Sequence, residues 1–424
     1  MGRAEGTAVA GCGRNHRTGA DAILGSMTAS TLDAEPACPG PTTEPATPRD
    51  RPDPSIHAER RSFDTIPRAT WDTMAARSPW ATPFSSWAFH RAWWDGYGEN
   101  AHEETLVICR DGKGHADGDP IAIVPLMHRH EVEPSDELTH TTIRHGRPRG
   151  LTPVPGSARA VFFGASYHAD YATLLASPAD LPAAATAVAD YLASPASRDW
   201  DAVDLRRLRC ADPAGDALSA ALGVREIANG WTLNVDREDV SPVVTLPDVE
   251  DIEDYLATLG KKQRHEVRRK VRRAEGVGEI KLRESTDPLA ELDVFIDLHQ
   301  KRWGADGLFP PTQGGGQSRV FIRRLFELFG ADGGLGLTFL TVGERRIAAG
   351  IHFETADSLL FYNAGIDPDA RDLSPGVVMT WAYIRRCLER GLRRFDFLRG
   401  DEPYKYEWGA VDEPIQRLLV RRDP

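Results

Sequence analysis

Phe395-Asp396-Phe397-Leu398-Arg399-Gly400-Asp401-Glu402-Pro403-Tyr404-Lys405-Tyr406-Glu407-Trp408-Gly409 begins as a strand and turns abruptly into a polar, aromatic loop. Strand alternation puts Asp396 and Leu398 on the face opposite Phe395 and Phe397, and Gly400 is where the chain leaves the sheet. A charged loop at the end of a strand is where functional groups concentrate, because a rigid scaffold holds them within reach of solvent. Lys405 is one of seven lysines against 44 arginines, which sets it apart from the chain's default surface cation. The plainer account is a salt-bridged turn anchored by Tyr404 and Trp408, and spacing alone does not separate the two.

Working upstream, three apolar runs at 335–342, 345–354 and 358–366 are joined by tight turns at Gly343-Glu344 and Ala356-Asp357, which predicts an antiparallel meander. A helix over 376–390 follows, with Gly391 as its stop, and then strands at 393–398 and 415–422. Ser374 suits the N-cap of that helix and Pro375 its first position. Gly376, lacking a Cβ, would let an anion approach backbone N–H groups at the positive end of the helix dipole, with Arg371 adding a charge. An ordinary capped helix beside a solvated arginine is the commoner use of such a pattern.

Earlier still come helices around 288–302 and 318–329, a strand at 278–284 and a helix over 248–275. Within it, residues 261–273 hold eight bases and one acid, a local charge of +7 in a chain of net −12. Leu256, Leu259, Val267 and Val271 recur at helical spacing and predict one docked stripe. Acids lead the helix and bases end it, so a dipole-matched, solvated face explains part of the pattern. The charge exceeds what capping needs, and Arg268, Arg269, Arg272 and Arg273 are therefore candidate anion-binding residues.

The first half repeats this order more faintly: strands at 105–109, 121–130 and 160–163, a helix at 182–193, a strand at 202–208, a helix at 213–222 and a strand at 224–235. Two α+β halves, 59–240 and 241–424, are expected to be duplicated domains, although no fixed-period repeat is visible in the letters. Residues 1–58 hold seven prolines between Pro36 and Pro54 and few large apolar side chains, which predicts a disordered tail without a core.

Composition bounds the function. With 41% hydrophobic and 27% charged residues the 424-residue chain is globular, and its acidity argues against a DNA coat. It has no apolar run of the ~20 residues a membrane-spanning helix needs and no secretory signal in its opening residues, so a cytoplasmic location is expected. Five scattered cysteines and the pair His128 and His130 offer no complete ligand set, and no metal is expected.

The meander, the Arg371 to Gly376 turn and the run Asp396 to Lys405 together resemble the GNAT acetyltransferase superfamily. Within it they are similar to the double-domain branch of CelD-type cellulose-biosynthesis acetyltransferases and FemAB-type peptidoglycan-bridge transferases. His299-Gln300-Lys301-Arg302-Trp303 and Trp93-Trp94 are also similar to positions of that branch. The resemblance implies an α+β fold of two tandem GNAT-like domains, each a mixed, mainly antiparallel sheet flanked by helices.

It further implies transfer of an acetyl or other acyl group from acyl-CoA to an amine or hydroxyl of a small-molecule or cell-envelope acceptor. Arg371, Ser374 and Gly376 would hold the donor's pyrophosphate, although Ser-Pro-Gly stands where the family has Gly-x-Gly. Tyr404 would protonate the leaving thiolate, Lys405 would stabilise charge at the transferring carbonyl, and Arg302, Trp303, Arg399 and Asp401 would meet substrate. Asp396, Asp401, Glu354 and His352 are the candidate bases. Direct transfer needs no covalent enzyme intermediate, in keeping with the lack of a Gly-x-Ser-x-Gly elbow. Two alternatives stay open: a FemAB-type transferase using aminoacyl-tRNA, which the basic helix would suit, and a non-catalytic GNAT fold binding an anionic polymer.

Overall fold

The computed structural model describes residues 55–111, 119–129, 154, 158–165, 168–197, 199–249, 251–330 and 334–422. The first half contains strands β1 (Ile56–Arg60), β2 (His102–Glu103), β3 (Leu106–Arg110), β4 (Asp119–Val124), β5 (Leu126–Arg129), β6 (Ala160–Phe163), β7 (Leu175–Ala176), β8 (Ala202–Arg209) and β9 (Trp231–Thr245). Its helices are α1 (Arg68–Arg77), α2 (Trp87–Tyr97), α3 (Leu181–Ala193) and α4 (Pro213–Asn229). The second half adds helices α5 (Ile252–Thr258), α6 (Lys261–Glu275), α7 (Pro288–Trp303), α8 (Gln313–Phe329), α9 (Pro375–Glu389) and α10 (Pro403–Tyr406). Its strands are β10 (Ile280–Glu284), β11 (Leu335–Val342), β12 (Arg345–Glu354), β13 (Ser358–Ile366), β14 (Arg394–Asp396) and β15 (Val411–Arg422).

β1, β3, β4 and β7 form a four-stranded sheet, and the other strands form an eleven-stranded one in the order β10-β11-β12-β13-β14-β9-β15-β8-β6-β5-β2. The middle of that order reveals the duplication. β13 pairs parallel with β14, and β6 pairs parallel with β8. At the centre β9 and β15 pair antiparallel, with β9 also beside β14 and β15 also beside β8. A twofold exchange of β13 with β6, β14 with β8 and β9 with β15 leaves the order unchanged, so each half lends its last strand to the other. Burying the two longest strands against each other satisfies their backbone groups without leaving an open edge at the junction.

Several sequence boundaries move for identifiable reasons. The division expected at 240/241 falls inside β9. α4 runs on to Asn229, closed by Gly230 in the left-handed region, where a strand was expected from 224. The single helix expected over 248–275 is broken at Gly260 into α5 and α6, yet Leu256, Leu259, Val267 and Val271 are all buried as the stripe predicts. The strand expected at 121–130 is two, parted at Pro125, and they belong to different sheets. Residues 56–58, expected in the tail, lie in β1, which pairs with β3; residues 1–54 and His130 lie outside the described residues.

Two core layers bracket the second half's sheet. On one face Phe395 and Phe397 pack with Val378, Trp381 and Tyr383 of α9 and with the α5–α6 stripe. On the other, Leu360 and Leu398 join Phe353, Phe84, Phe89 and Tyr171, side chains from both halves. Trp93 and Trp94 of α2 belong to this junction, where Phe89 meets Phe321 of α8 edge-on at 5.5 Å. Each large apolar side chain so buried contributes roughly 1.5–3 kcal/mol, so the halves are held by packing as well as by the shared sheet.

Candidate active site

β13 and β14 stay paired for three residues only, Ser358↔Arg394 to Leu360↔Asp396. β13 then continues to Ile366, whereas the chain after Asp396 follows β9, with Phe397 N–H donating to the Pro242 carbonyl (3.1 Å) and Gly400 N–H to that of Val240 (3.0 Å). The two strands therefore part. Leu359 and Leu360 are buried, while Phe361 to Ala364 along the gap are only partly so. Leu398 turns the chain with a φ of 59°, a conformation costing a non-glycine residue about 1–3 kcal/mol, and the Asp396 carboxylate secures it by accepting the Leu398 N–H at 2.8 Å.

α9 begins at the open end of that gap. Ser374 occupies the cap position in the left-handed region, and its side chain does not cap the helix as expected: Oγ instead accepts a 2.7 Å hydrogen bond from Arg273 of α6. The Ser374 carbonyl takes the N–H groups of Val377 and Val378. The Gly376 N–H has no backbone partner among the described residues, and Gly376 is exposed. A Cβ there would meet only Ile366 Cδ1, at 3.5 Å. Arg371 is exposed on the short 3-10 turn Pro368–Leu373 beside it.

The four arginines expected to bind anions divide into two kinds. Arg268 is bonded to Glu253 (2.7 Å) and Arg269 to Glu266 (2.7 Å), ion pairs that spend their charge locally. The hydrogen bond from Arg269 is the main reason that Glu266 is held at about 2. Arg272 donates through Nε to its own helix, at the Arg268 carbonyl, and Arg273 reaches Ser374. Neither of the last two is paired with a carboxylate among the described residues.

The loop after β14 is organised by Lys405, only 2% exposed. Its Nζ donates to the carbonyls of Leu398 (3.1 Å), Arg399 (2.7 Å) and Gly400 (3.0 Å) and lies 2.9 Å from Glu402. An ammonium has three protons, and three carbonyls match them, so in this geometry none is left for a transferring carbonyl as the resemblance implied. Arg399 and Asp401, expected to meet substrate, are likewise internal. Arg399 pairs with Asp170 of the first half at 2.9 Å, and Asp401 is fully buried. Tyr404 is different: it is 42% exposed and stands edge-on to Phe397. Burial raises its phenol above the ordinary value, and the charge of Arg302, at the end of α7, opposes that rise. The Arg302 guanidinium lies 4.6 Å from the centre of the Trp303 ring, which is 46% exposed. α7 can approach β13 because residue 365 is glycine; a Cβ there would be 2.5 Å from His299 N.

All four candidate bases are engaged or enclosed. His352 is buried against Tyr383 and pushed down to about 3 by burial. Glu354 is ion-paired to Arg390 (2.5 Å), and Asp401 is enclosed by the loop. Asp396 is 5% exposed, accepts a 2.8 Å hydrogen bond from the Tyr171 hydroxyl, and borders a cleft of about 590 Å³. Burial raises its carboxyl to about 6, against the pull of the Tyr171 and Leu398 hydrogen bonds.

Sequence reading missed Tyr171, Trp80 and Arg209, which share that cleft. One signal for the first-half contribution was present: Asp204-Leu205-Arg206-Arg207 echoes Asp396-Phe397-Leu398-Arg399, and the strand exchange superposes β8 on β14. In the first half the aspartate is neutralised, because Arg417 of β15 grips Asp204 through two bonds of 2.6 and 2.8 Å, both residues fully buried. Among the described residues no group of three or more His, Cys, Asp or Glu is placed to hold a metal, and no helix is long and apolar enough to cross a membrane.

No curated protein matches the chain. The sequence profile of the acetyltransferase (GNAT) domain matches residues 261–406. Among solved structures, FemX is similar over 84% of this chain and 96% of its own at 10% identity, with a TM-score of 0.52. A conserved protein of unknown function from Bacteroides thetaiotaomicron is similar over 87% of this chain and 100% of its own at 14% identity, TM-score 0.50. A tandem GNAT protein from the clavulanic acid biosynthesis pathway is more distant, 11% identical over 87% of this chain and 99% of its own, TM-score 0.45. The gap between β13 and β14, the helix that starts at its mouth and the profile that spans both lead to one assignment: residues 261–406 form a GNAT domain, and the chain shares the fold of FemX.

Proposed function

We propose that the protein transfers an acyl group from acyl-CoA directly to an amine or hydroxyl of an acceptor. The observation that carries this reading is the parting of β13 from β14 with the Gly376 N–H exposed at its open end. Acyl-CoA would supply the activated thioester. A bare N–H on the positive end of α9 suits its diphosphate, and Arg273, bonded to the neighbouring Ser374, stands beside it as a cation not paired to a carboxylate, with Arg272 next to it on α6. Tyr404, exposed near the cation of Arg302, is the residue on this face able to give a proton to a leaving sulfur. Asp396 lies at the vertex of the parting strands and serves as base.

The aminoacyl-tRNA alternative draws on the same basic helix. Two of its four candidate arginines are already bonded to Glu253 and Glu266, which favours one small anion over a polyanion. Calorimetry with acetyl-CoA and with unfractionated tRNA tests this on the intact chain. Acetyl-CoA binding that Gly376→Val abolishes supports the reading; tRNA binding alone overturns it.

A further inference from the structure

α7 delivers its last turn to the gap between β13 and β14. Gly365, near the end of β13, admits the helix, since a Cβ there would lie 2.5 Å from the His299 backbone nitrogen, and Arg302 and Trp303 follow about one turn later. Tyr404 stands on the other bank, on α10 after β14, and it and Arg302 act on each other electrostatically. We propose that Arg302, Trp303 and Tyr404 form a carboxylate-binding site across the gap, so that one of the two substrates carries a free carboxylate. The substrate role rests on the acyl-transfer reading above.

The state of Arg302 argues for an anion. It makes no hydrogen bond and no ion pair with a carboxylate among the described residues. Arg324 and Arg345, hydrogen-bonded to carboxylates, are raised above their ordinary value for that reason, whereas burial lowers Arg302. Glu402 is the carboxylate whose charge reaches it, and Glu402 lies 2.9 Å from the Lys405 ammonium. A cation partly withdrawn from water without a bonded counter-ion gains most from an incoming one.

The surroundings set the kind of anion. The guanidinium lies over the Trp303 ring, 4.6 Å from its centre, so its face is occupied and its N–H edge is left for an acceptor in its own plane. A carboxylate matches that edge with two oxygens. One cation beside Glu402 suits a single negative charge better than the several of a phosphate ester or a polyanion. Trp303 and Tyr404 are the two aromatic residues among the exposed large apolar side chains of the described residues, and both border this cation. They give the carbon chain of the ligand an apolar wall. α7 packs through Phe295 and Leu298 into the core layer opposite that of α9, so the site is separate from the Gly376 N–H that suits the diphosphate.

The carboxylate belongs either to the acyl group of a dicarboxylic donor or to the acceptor, and binding on the full chain tells these apart. In titrations followed by saturation-transfer NMR, benzoate should bind on the order of tenfold more tightly than benzamide, which has its shape without its charge. Arg302→Gln should remove that preference. Arg302→Lys, which keeps the charge but not the two-pronged edge, should restore part of it. Succinyl-CoA displacing benzoate where butyryl-CoA, of equal chain length, does not would assign the carboxylate to the acyl group; benzoate retained beside both would assign it to the acceptor. Benzoate bound no better than benzamide, a preference unchanged in Arg302→Gln, or displacement by both thioesters alike overturns the inference. Wild-type protein that keeps the Arg302-dependent preference but binds no acyl-CoA by calorimetry would instead remove the transferase reading and leave the carboxylate site standing.

Discussion

The Tyr171 hydroxyl, from the first half of the chain, donates a 2.8 Å hydrogen bond to Oδ2 of Asp396, the last paired residue of β14 in the second. Neither half alone builds this acid's surroundings: Arg394 and Glu413 face it from β14 and the exchanged β15, and Arg209 stacks on Tyr171 from β8.

That contact yields a pH prediction. Burial raises the Asp396 carboxyl from 3.8 to about 6, so between those values the folded protein holds a proton that the unfolded chain has released. Stability should therefore fall as pH rises through this window, and Asp396→Asn should remove that part of the slope. Activity runs the other way, since a base must be ionised: kcat/KM should rise through about pH 6. Tyr171→Phe removes a bond that favours the carboxylate and should move the activity midpoint upward. A profile unmoved in Tyr171→Phe would detach Asp396 from the rate.

At the other end of the gap, Gly376→Val should abolish acetyl-CoA binding while leaving the melting temperature near wild type, since only Ile366 lies near the added side chain. Arg272→Gln with Arg273→Gln should weaken acetyl-CoA binding and flatten its salt dependence. The pair Arg268→Gln and Arg269→Gln, whose charges are spent on Glu253 and Glu266, should change affinity little. Equal effects of the two double variants in a calorimetric salt titration would contradict this division.

Lys405 is expected to act on stability before turnover. Lys405→Met leaves three inward carbonyls without their donor and frees the Leu398 turn, a loss of ~3 kcal/mol or more. Urea unfolding measures it. A Lys405→Met protein of wild-type stability but greatly reduced kcat would restore the oxyanion role that the resemblance implied.

Truncation separates tail from fold. Removing residues 1–54 should leave the melting temperature unchanged, whereas removing 1–60 deletes β1 and its pairing from Ile56↔Arg110 to Arg60↔Leu106 and should lower it by several degrees. Equal melting temperatures for the two truncations would show that β1 adds nothing.

Local chemistry made much of the second half legible. The meander's three strands lie at 335–342, 345–354 and 358–366 as turn residues and apolar runs predict, Asp396 and Phe395 take opposite faces by simple alternation, and the stripe on α5 and α6 is buried. Such features depend on neighbours a few residues apart. The residue roles did not follow so directly. Lys405 read as a free cation until the chain folded three carbonyls around it, Ser374 read as a cap until Arg273 turned its hydroxyl aside, and Arg399 read as a ligand group until Asp170 met it. Tyr171 stands 225 residues from Asp396, and β9 and β15 cross between halves. Sequence periodicity carries no information about which distant segment will satisfy a buried polar group, because that pairing is decided by the packing of whole sheets. The sequence thus determined the elements and the side chains on each face, and the tertiary structure alone decided which charges stay available for chemistry.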